Sequence, residues 1–139
     1  MVETIRPALP KEAEAIISLW SLCELTRPWN DPRQDFDRAL GTSNSTILIA
    51  LNSDVILGSV MVGFDGHRGW LYYLAVDPEY RRKGIAHRLV IAAEDYLRRL
   101  GCPKVELMVR NDNDTAKKFY QELGWEHQAV NVYARWLNE

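Results

Sequence analysis

Val76-Asp77-Pro78-Glu79-Tyr80-Arg81-Arg82-Lys83-Gly84-Ile85-Ala86-His87-Arg88-Leu89 joins an apolar run to an amphipathic helix through a basic, glycine-bearing turn. The run before it, Leu71 to Val76, reads as a strand. Asp77-Pro78 ends that strand, because proline offers no ladder N–H and restricts the residue before it. The helix begins directly after the turn, with Ile85, Leu89, Ala93, Tyr96, Leu97 and Leu100 at helical spacing on one face. Gly101 stops it, with Pro103 just beyond. A strand, a cationic glycine turn and a helix start make an anion site. The first helical N–H groups have no intrahelical partner, and the helix dipole favours negative charge there. Gly84 lets backbone approach a phosphate, and Ala86 keeps that approach open. The spacing is neither that of a Walker A loop nor that of a Rossmann fingerprint. The plainer alternative is a turn carrying a solvated arginine pair and lysine.

Composition narrows what the anion is. A length of 139 residues suits one compact domain over 1–139 rather than two. With 47% apolar and 26% charged residues the chain reads as globular, and no run of 18 apolar residues or signal-like start suggests a membrane or export. Cytoplasm is the expected location, with no membrane partner. The formal charge of −2 gives no global basic field for nucleic acid. The local cluster Arg81-Arg82-Lys83 and Arg88 suits a small polyanion instead. Cys23 and Cys102 lack metal-ligand spacing and read as reduced thiols. No metal is implied.

A second motif lies about 30 residues on. Asn113-Asp114-Thr115-Ala116-Lys117-Lys118-Phe119-Tyr120 leads to Leu123-Gly124-Trp125. Asn113 or Asp114 can cap a short helix that Gly124 ends. Ala116, Phe119, Tyr120 and Leu123 share one face, where core packing is the ordinary role of such residues. The two motifs together resemble those of the GCN5-related N-acetyltransferase (GNAT) superfamily. Arg81-x-x-Gly84-x-Ala86 resembles its acyl-CoA pyrophosphate loop. Asn113 to Trp125 looks like its signature N-x-x-A-x-x-[FL]-Y-x-x-x-G-[FW]. Within the superfamily the chain resembles the bacterial YpeA-type acetyltransferases, through the segments Cys23–Pro32 and Gly63–Gly69.

The resemblance implies an α/β (α+β) fold. Its central sheet is mixed and mostly antiparallel, flanked by about four helices, with splayed central strands that hold acyl-CoA between them. The remaining pattern fits that order. Val2 to Arg6 is a first strand, and a helix runs from Pro10 to about Cys23, burying Ala13, Ile16, Ile17 and Trp20. Asp31-Pro32-Arg33-Gln34 starts a second helix as a capping box with proline at its first position. Strands follow at 46–51, 55–64, 70–76 and 104–109, and Val130 to Leu137 is expected to close the sheet. Asp65-Gly66 is a tight-turn signal. Glu94–Arg98 and Asp95–Arg99 are spaced as surface ion pairs.

The resemblance also implies the chemistry: an acyl-CoA-dependent N-acetyltransferase, with acetyl-CoA as co-substrate and a primary amine as attacking group. Backbone of Leu74, Ala75 and Val76 would pair with the pantetheine arm. Arg81, Arg82, Lys83, Gly84, Ile85 and Ala86 would hold the pyrophosphate. Asn113 would contact the pantetheine side, and Tyr120 would protonate the departing thiolate. The proton acceptor is less determined. Relatives place a glutamate where this chain has Trp70 or Met108, so Glu106, on the same strand face as Met108, is the tentative base. Tyr72, Asp65, His67 and Glu24 are others, as is a water relay. Arg27, Trp29 and Tyr72 are the tentative substrate residues, with Arg27 hinting at an acidic acceptor. Partners are then a small-molecule or peptide amine, no nucleic acid, and a possible homodimer. The competing readings are an acyl-CoA-binding module without catalysis, and a nucleic-acid-binding α/β domain.

Overall fold

The computed structural model describes residues 4–138. The chain divides into two compact units, one ending at Met108 and the other beginning at Val109. In the first, β1 (Thr4–Pro7) leads through a short 3-10 turn (Pro10–Glu12) to α1 (Ala13–Leu22) and α2 (Pro32–Leu40). Then come β2 (Ser45–Asn52), β3 (Val55–Phe64), β4 (Gly69–Val76), a 3-10 turn (Pro78–Tyr80), α3 (Ile85–Arg99) and β5 (Val105–Leu107). The second unit carries α4 (Asp114–Glu122). The strands form one open sheet in the order β1-β2-β3-β4-β5. All neighbours are antiparallel except β4 and β5, which run parallel. The mixed, mostly antiparallel sheet expected from the sequence is the one observed.

Alternation along the strands sorts side chains into two layers. Ile47, Ile49 and Leu51 of β2 join Ile16, Leu19 and Trp20 of α1 and Phe36 and Ala39 of α2 in one buried cluster. The opposite face packs on α3. There a Cβ added at Gly58 would meet Leu89 and Ile85, and one at Gly69 would meet Leu97 at 2.6 Å. Those glycines let α3 lie close on the sheet. The buried face of α3 is Ile85, Leu89, Val90, Ala93 and Leu97. Tyr96 and Leu100, expected on it, are only half-buried, and Val90 takes their place. In α1, similarly, Leu19 is buried where Ile17 was expected. Truncating a core side chain such as Leu89 to alanine should cost about 2–5 kcal/mol.

Three local expectations change. Asp31 does cap α2, accepting from the N–H groups of Arg33 and Gln34. The Gln34 amide oxygen, however, accepts from Arg38, so the reciprocal half of the capping box is not made. On α3, Arg98 pairs with Asp95 at 3.0 Å, one residue closer than the i,i+4 spacing expected. The strand expected over Val130–Leu137 does not form. Residues 125–138 carry neither helix nor strand, and Val130, Val132, Tyr133, Trp136 and Leu137 are exposed. An alternating pattern supplies a strand's apolar face but not the ladder partner that its N–H and C=O groups require.

Candidate active site

The site begins at an irregularity in β4. Met61 of β3 pairs with Tyr72, yet Ser59 pairs with Ala75, so β4 carries one extra residue between them. That is a β-bulge, and Tyr73 sits in it at φ 53°. The extra residue changes the phase of the strand. Trp70 and Tyr72 face the α1 and α2 side before it, and Tyr73 and Ala75 do so after it. The Tyr73 ring stacks on Trp20 with centroids 3.9 Å apart, and its hydroxyl donates to Asp35 at 2.8 Å. Ser59, wholly buried, accepts from the Trp20 indole N–H and donates to the Tyr73 carbonyl. These contacts hold a left-handed non-glycine residue that would otherwise be strained. Asp35 and Ser59 carry no sequence signal for this role.

Among the described residues of the first unit, β4 has no ladder partner on its β5 side beyond the bulge. β5 pairs with β4 only from Gly69 to Leu71. The Asp77 N–H donates back to the Leu57 carbonyl of β3. By strand alternation the N–H groups of Val76 and Leu74 therefore point away from β3, toward the open side. The Ala75 side chain is buried in the α1 cluster, so only its backbone is available. The central strands are splayed as expected.

The basic turn starts where this open side ends. Asp77 caps the 3-10 turn through the Glu79 N–H. The Arg81 side chain folds back, its Nε donating to the Val76 carbonyl at 3.0 Å. Its Nη2 lies 3.6 Å from Cys23 Sγ, which itself reaches the Val76 carbonyl at 3.4 Å. Arg88 donates to the Lys83 carbonyl at 3.0 Å, and the Lys83 ammonium lies 5.9 Å over the Tyr80 ring. Arg82 at φ 64° and Gly84 at φ 78° bend the turn. Gly84 is the N-cap of α3 and has no side chain to satisfy the first N–H groups, among them those of Ile85 and Ala86. Cys23 and Cys102 are both free thiols.

In the second unit Asn113 caps α4, its side chain accepting from the Ala116 N–H at 3.0 Å. Tyr120 meets Phe119 edge-on at 5.0 Å and Trp125 at 5.5 Å. The Tyr120 carbonyl accepts from Trp125, which closes the helix at Gly124 with φ 90°. Burial pushes the Tyr120 phenol up to about 12, so it keeps its proton through neutral and mildly alkaline pH.

The tentative base and substrate residues scatter. Glu106 Oε1 lies 3.8 Å from Arg68 Nε, and Met108 beside it is exposed. Arg27 Nη1 donates to the carbonyls of Glu24 and Thr26 in its own loop. Trp29 is exposed. His67 sits in the β3–β4 turn, where its N–H and that of Arg68 both donate to Asp65 Oδ1 at 2.8 Å. Tyr72 lines a cavity of about 260 Å3 with Thr42, Asn44, Ser45, Gly63, Phe64, Asp65 and Trp70. Trp70 was not among the expected substrate residues. Its signal was present in the alternation of β4 but hidden by the ordinary assumption that such a ring is core.

Residues 13–125 match the model of the acetyltransferase (GNAT) family. Acetyltransferase ECA0875 of Pectobacterium atrosepticum is 49% identical over 113 residues, covering 81% of this chain and 80% of that protein. Acetyltransferase SG1711 of Sodalis glossinidius is 47% identical over 115 residues, 83% of this chain and 81% of that one. The fold matches the solved structure of AAC(6')-Iy in complex with the bisubstrate analogue CoA-S-monomethyl-acetylneamine. The TM-score is 0.84 and the identity 19%, over 97% of this chain and 98% of that one. The family match and these relatives put the chain in the class of acyl-CoA-dependent N-acetyltransferases. The chain belongs to the acetyltransferase (GNAT) family.

Proposed function

We propose that this chain transfers an acetyl group from acetyl-CoA to the primary amine of a small molecule by direct attack, with Tyr120 as general acid. The observation that carries the reading is the open side of β4 running straight into the basic turn and the bare N-terminus of α3. Extended pantetheine is matched by an unpaired strand edge, and a pyrophosphate by free helical N–H groups. The backbone of Leu74, Ala75 and Val76 accordingly holds the pantetheine arm. Arg82, Lys83, Gly84, Ile85 and Ala86 take the pyrophosphate, with Arg81 fixing the turn to the strand. The complex of AAC(6')-Iy with a CoA bisubstrate analogue supports acyl-CoA as the co-substrate.

In the reaction the amine nitrogen attacks the thioester carbonyl carbon. The Leu74 N–H, aimed away from β3, stabilises the oxyanion that develops. The C–S bond then breaks, and the thiolate sulfur takes the phenolic proton of Tyr120. A phenol held protonated by burial is suited to that donation. The ammonium proton leaves through water, with Glu106, opposite Trp70 in the sheet and beside Arg68, as its terminal acceptor. Asn113 caps α4, the helix that carries Tyr120.

The test is thiol release from acetyl-CoA across a panel of amines, amino acids, polyamines and peptides. Tyr120→Phe should keep acetyl-CoA affinity and lose kcat by roughly 10²–10⁴-fold. Equal turnover would remove Tyr120 from its role. Glu106→Gln should alter the pH dependence of kcat/KM on its acid side, and an unchanged profile assigns the proton to water.

A further inference from the structure

The cavity beside Tyr72 is built from chemistry that a general amine site does not need. Trp70 and Tyr72, on one face of β4, line it together with Gly63 and Phe64 of β3, Gly63 lying opposite Trp70. Its rim carries the Asp65 carboxylate and the neutral polar groups of Thr42, Asn44 and Ser45. Among the described residues no lysine or arginine lines it. The nearby Arg68 guanidinium is engaged with Glu106 instead. The Trp70 indole N–H donates to Asp65 Oδ2 at 3.3 Å, which fixes the ring face and leaves that oxygen further acceptor capacity. Asp65 is held below the usual carboxylate range by the N–H groups of Arg68 and His67, so it is anionic at neutral pH. Tyr72 is raised by burial and by Asp65, so its hydroxyl remains a donor.

We infer that this cavity is the acceptor-recognition subsite, and that it takes a hydroxylated, ring-bearing cationic amine of amino-sugar type. Flat apolar C–H faces of such a ring stack on aromatic side chains, a second ammonium meets Asp65 and the aromatic faces, and ring hydroxyls meet the neutral rim. At about 260 Å3 the space lies just below the ~300–1,000 Å3 of drug-sized sites, which suits one ring with its substituents. An acidic acceptor would place its carboxylate against Asp65 with no compensating cation.

The strand also supplies a ruler. This inference rests on the thioester lying at Leu74, as proposed above. At about 3.3 Å per residue, and less across the bulge, Tyr72 is then at most about 7 Å and Trp70 at most about 13 Å from the reacting carbonyl. The reacting amine therefore sits on a substituent about one ring-width from the stacked ring. Trp70 and Tyr72 share a face by strand alternation, and the bulge begins only after Tyr72.

The experiment compares D-glucosamine, neamine, spermidine, cyclohexylamine and glutamate as acceptors, for the wild type, Trp70→Ala and Thr42→Arg, with acetyl-CoA affinity measured by calorimetry in parallel. Thr42 is exposed on the rim, so arginine there brings a cation to the cavity without disturbing the core. Kcat/KM is expected to favour the amino sugars over spermidine, cyclohexylamine and glutamate. Both variants should raise KM for amino sugars at least tenfold while acetyl-CoA affinity stays within twofold. In Thr42→Arg the discrimination against glutamate should shrink. Intact acetyl-CoA binding with turnover indifferent to ring, hydroxyls or either variant would overturn the subsite and leave the acetyltransfer reading standing. Failure to bind acetyl-CoA at all would overturn both.

Discussion

Helices α2 and α3 begin in opposite ways. At α2, Asp31 fills the first turn with its own carboxylate, accepting from two backbone N–H groups, and Pro32 removes another donor. At α3, Gly84 offers no side chain, and the residues before it are Arg81, Arg82 and Lys83. The same orphan donors arise at every helix start. Where the chain supplies its own oxygen, they serve stability. Where it supplies none and adds cations, they are left for the pyrophosphate proposed above. Helix α4 belongs with α2 in this respect, because Asn113 accepts from Ala116.

The largest effect should come from giving α3 what α2 has. Gly84→Glu places a carboxylate in the turn and forces a side chain onto φ 78°, which costs about 1–2 kcal/mol by itself. CoA affinity by calorimetry should fall at least about 100-fold, equivalent to about 2.7 kcal/mol. An unchanged Kd would mean that the start of α3 is not the pyrophosphate site. A smaller effect of a different kind is expected from emptying the α2 cap. Asp31→Ala should cost about 0.5–2 kcal/mol of stability in a denaturant titration and leave the CoA Kd unaltered. If CoA binding weakened as well, the division between structural and ligand-ready helix starts would not hold.

The smallest effect concerns the 3-10 turn before α1. There Glu12 accepts from the Leu9 N–H and from both terminal nitrogens of Arg6. Arg6 first, and the Leu9 N–H after it, hold the Glu12 carboxyl below its ordinary range. A depressed folded-state value means that the stabilisation is complete above the unfolded carboxyl range, about 4.3. It is lost as pH falls through the lower folded value. The Tm of the wild type should therefore drop more steeply below about pH 4 than that of Glu12→Gln. Parallel curves would show that this cap contributes nothing measurable.

Much of this was legible in the residues. Pro78, the basic cluster and Gly84 mark a strand end, a turn and a helix start by local chemistry alone, and the structure has them there. Asn113 and Gly124 bound α4 for the same reason. What the sequence hid were features decided by distant partners. The bulge at Tyr73 is held by Trp20, Asp35 and Ser59, which lie 53, 38 and 14 positions away in the chain, and no local pattern announces it. The segment 130–137 erred in the other direction. Val130, Val132, Ala134 and Trp136 alternate with Asn131, Tyr133 and Arg135, yet a period describes a face and not a neighbour. Arg27 looked like a ligand hook because a lone arginine in a loop invites that reading, whereas its guanidinium secures its own turn.

The half-paired state of β4 gives the molecule a built-in clock. Gly69 and Leu71 lie between two strands, and Asp77 is bonded to Leu57, while the amides of Leu74 and Val76 face an open side. In deuterated water a single strand should thus contain slow and fast exchanging protons within a few residues of one another. Covering the open side would slow Leu74 and Val76 and leave Gly69 and Leu71 as they were. The ratio of those rates reads the occupancy of the cleft directly, without turnover and without knowledge of the acceptor.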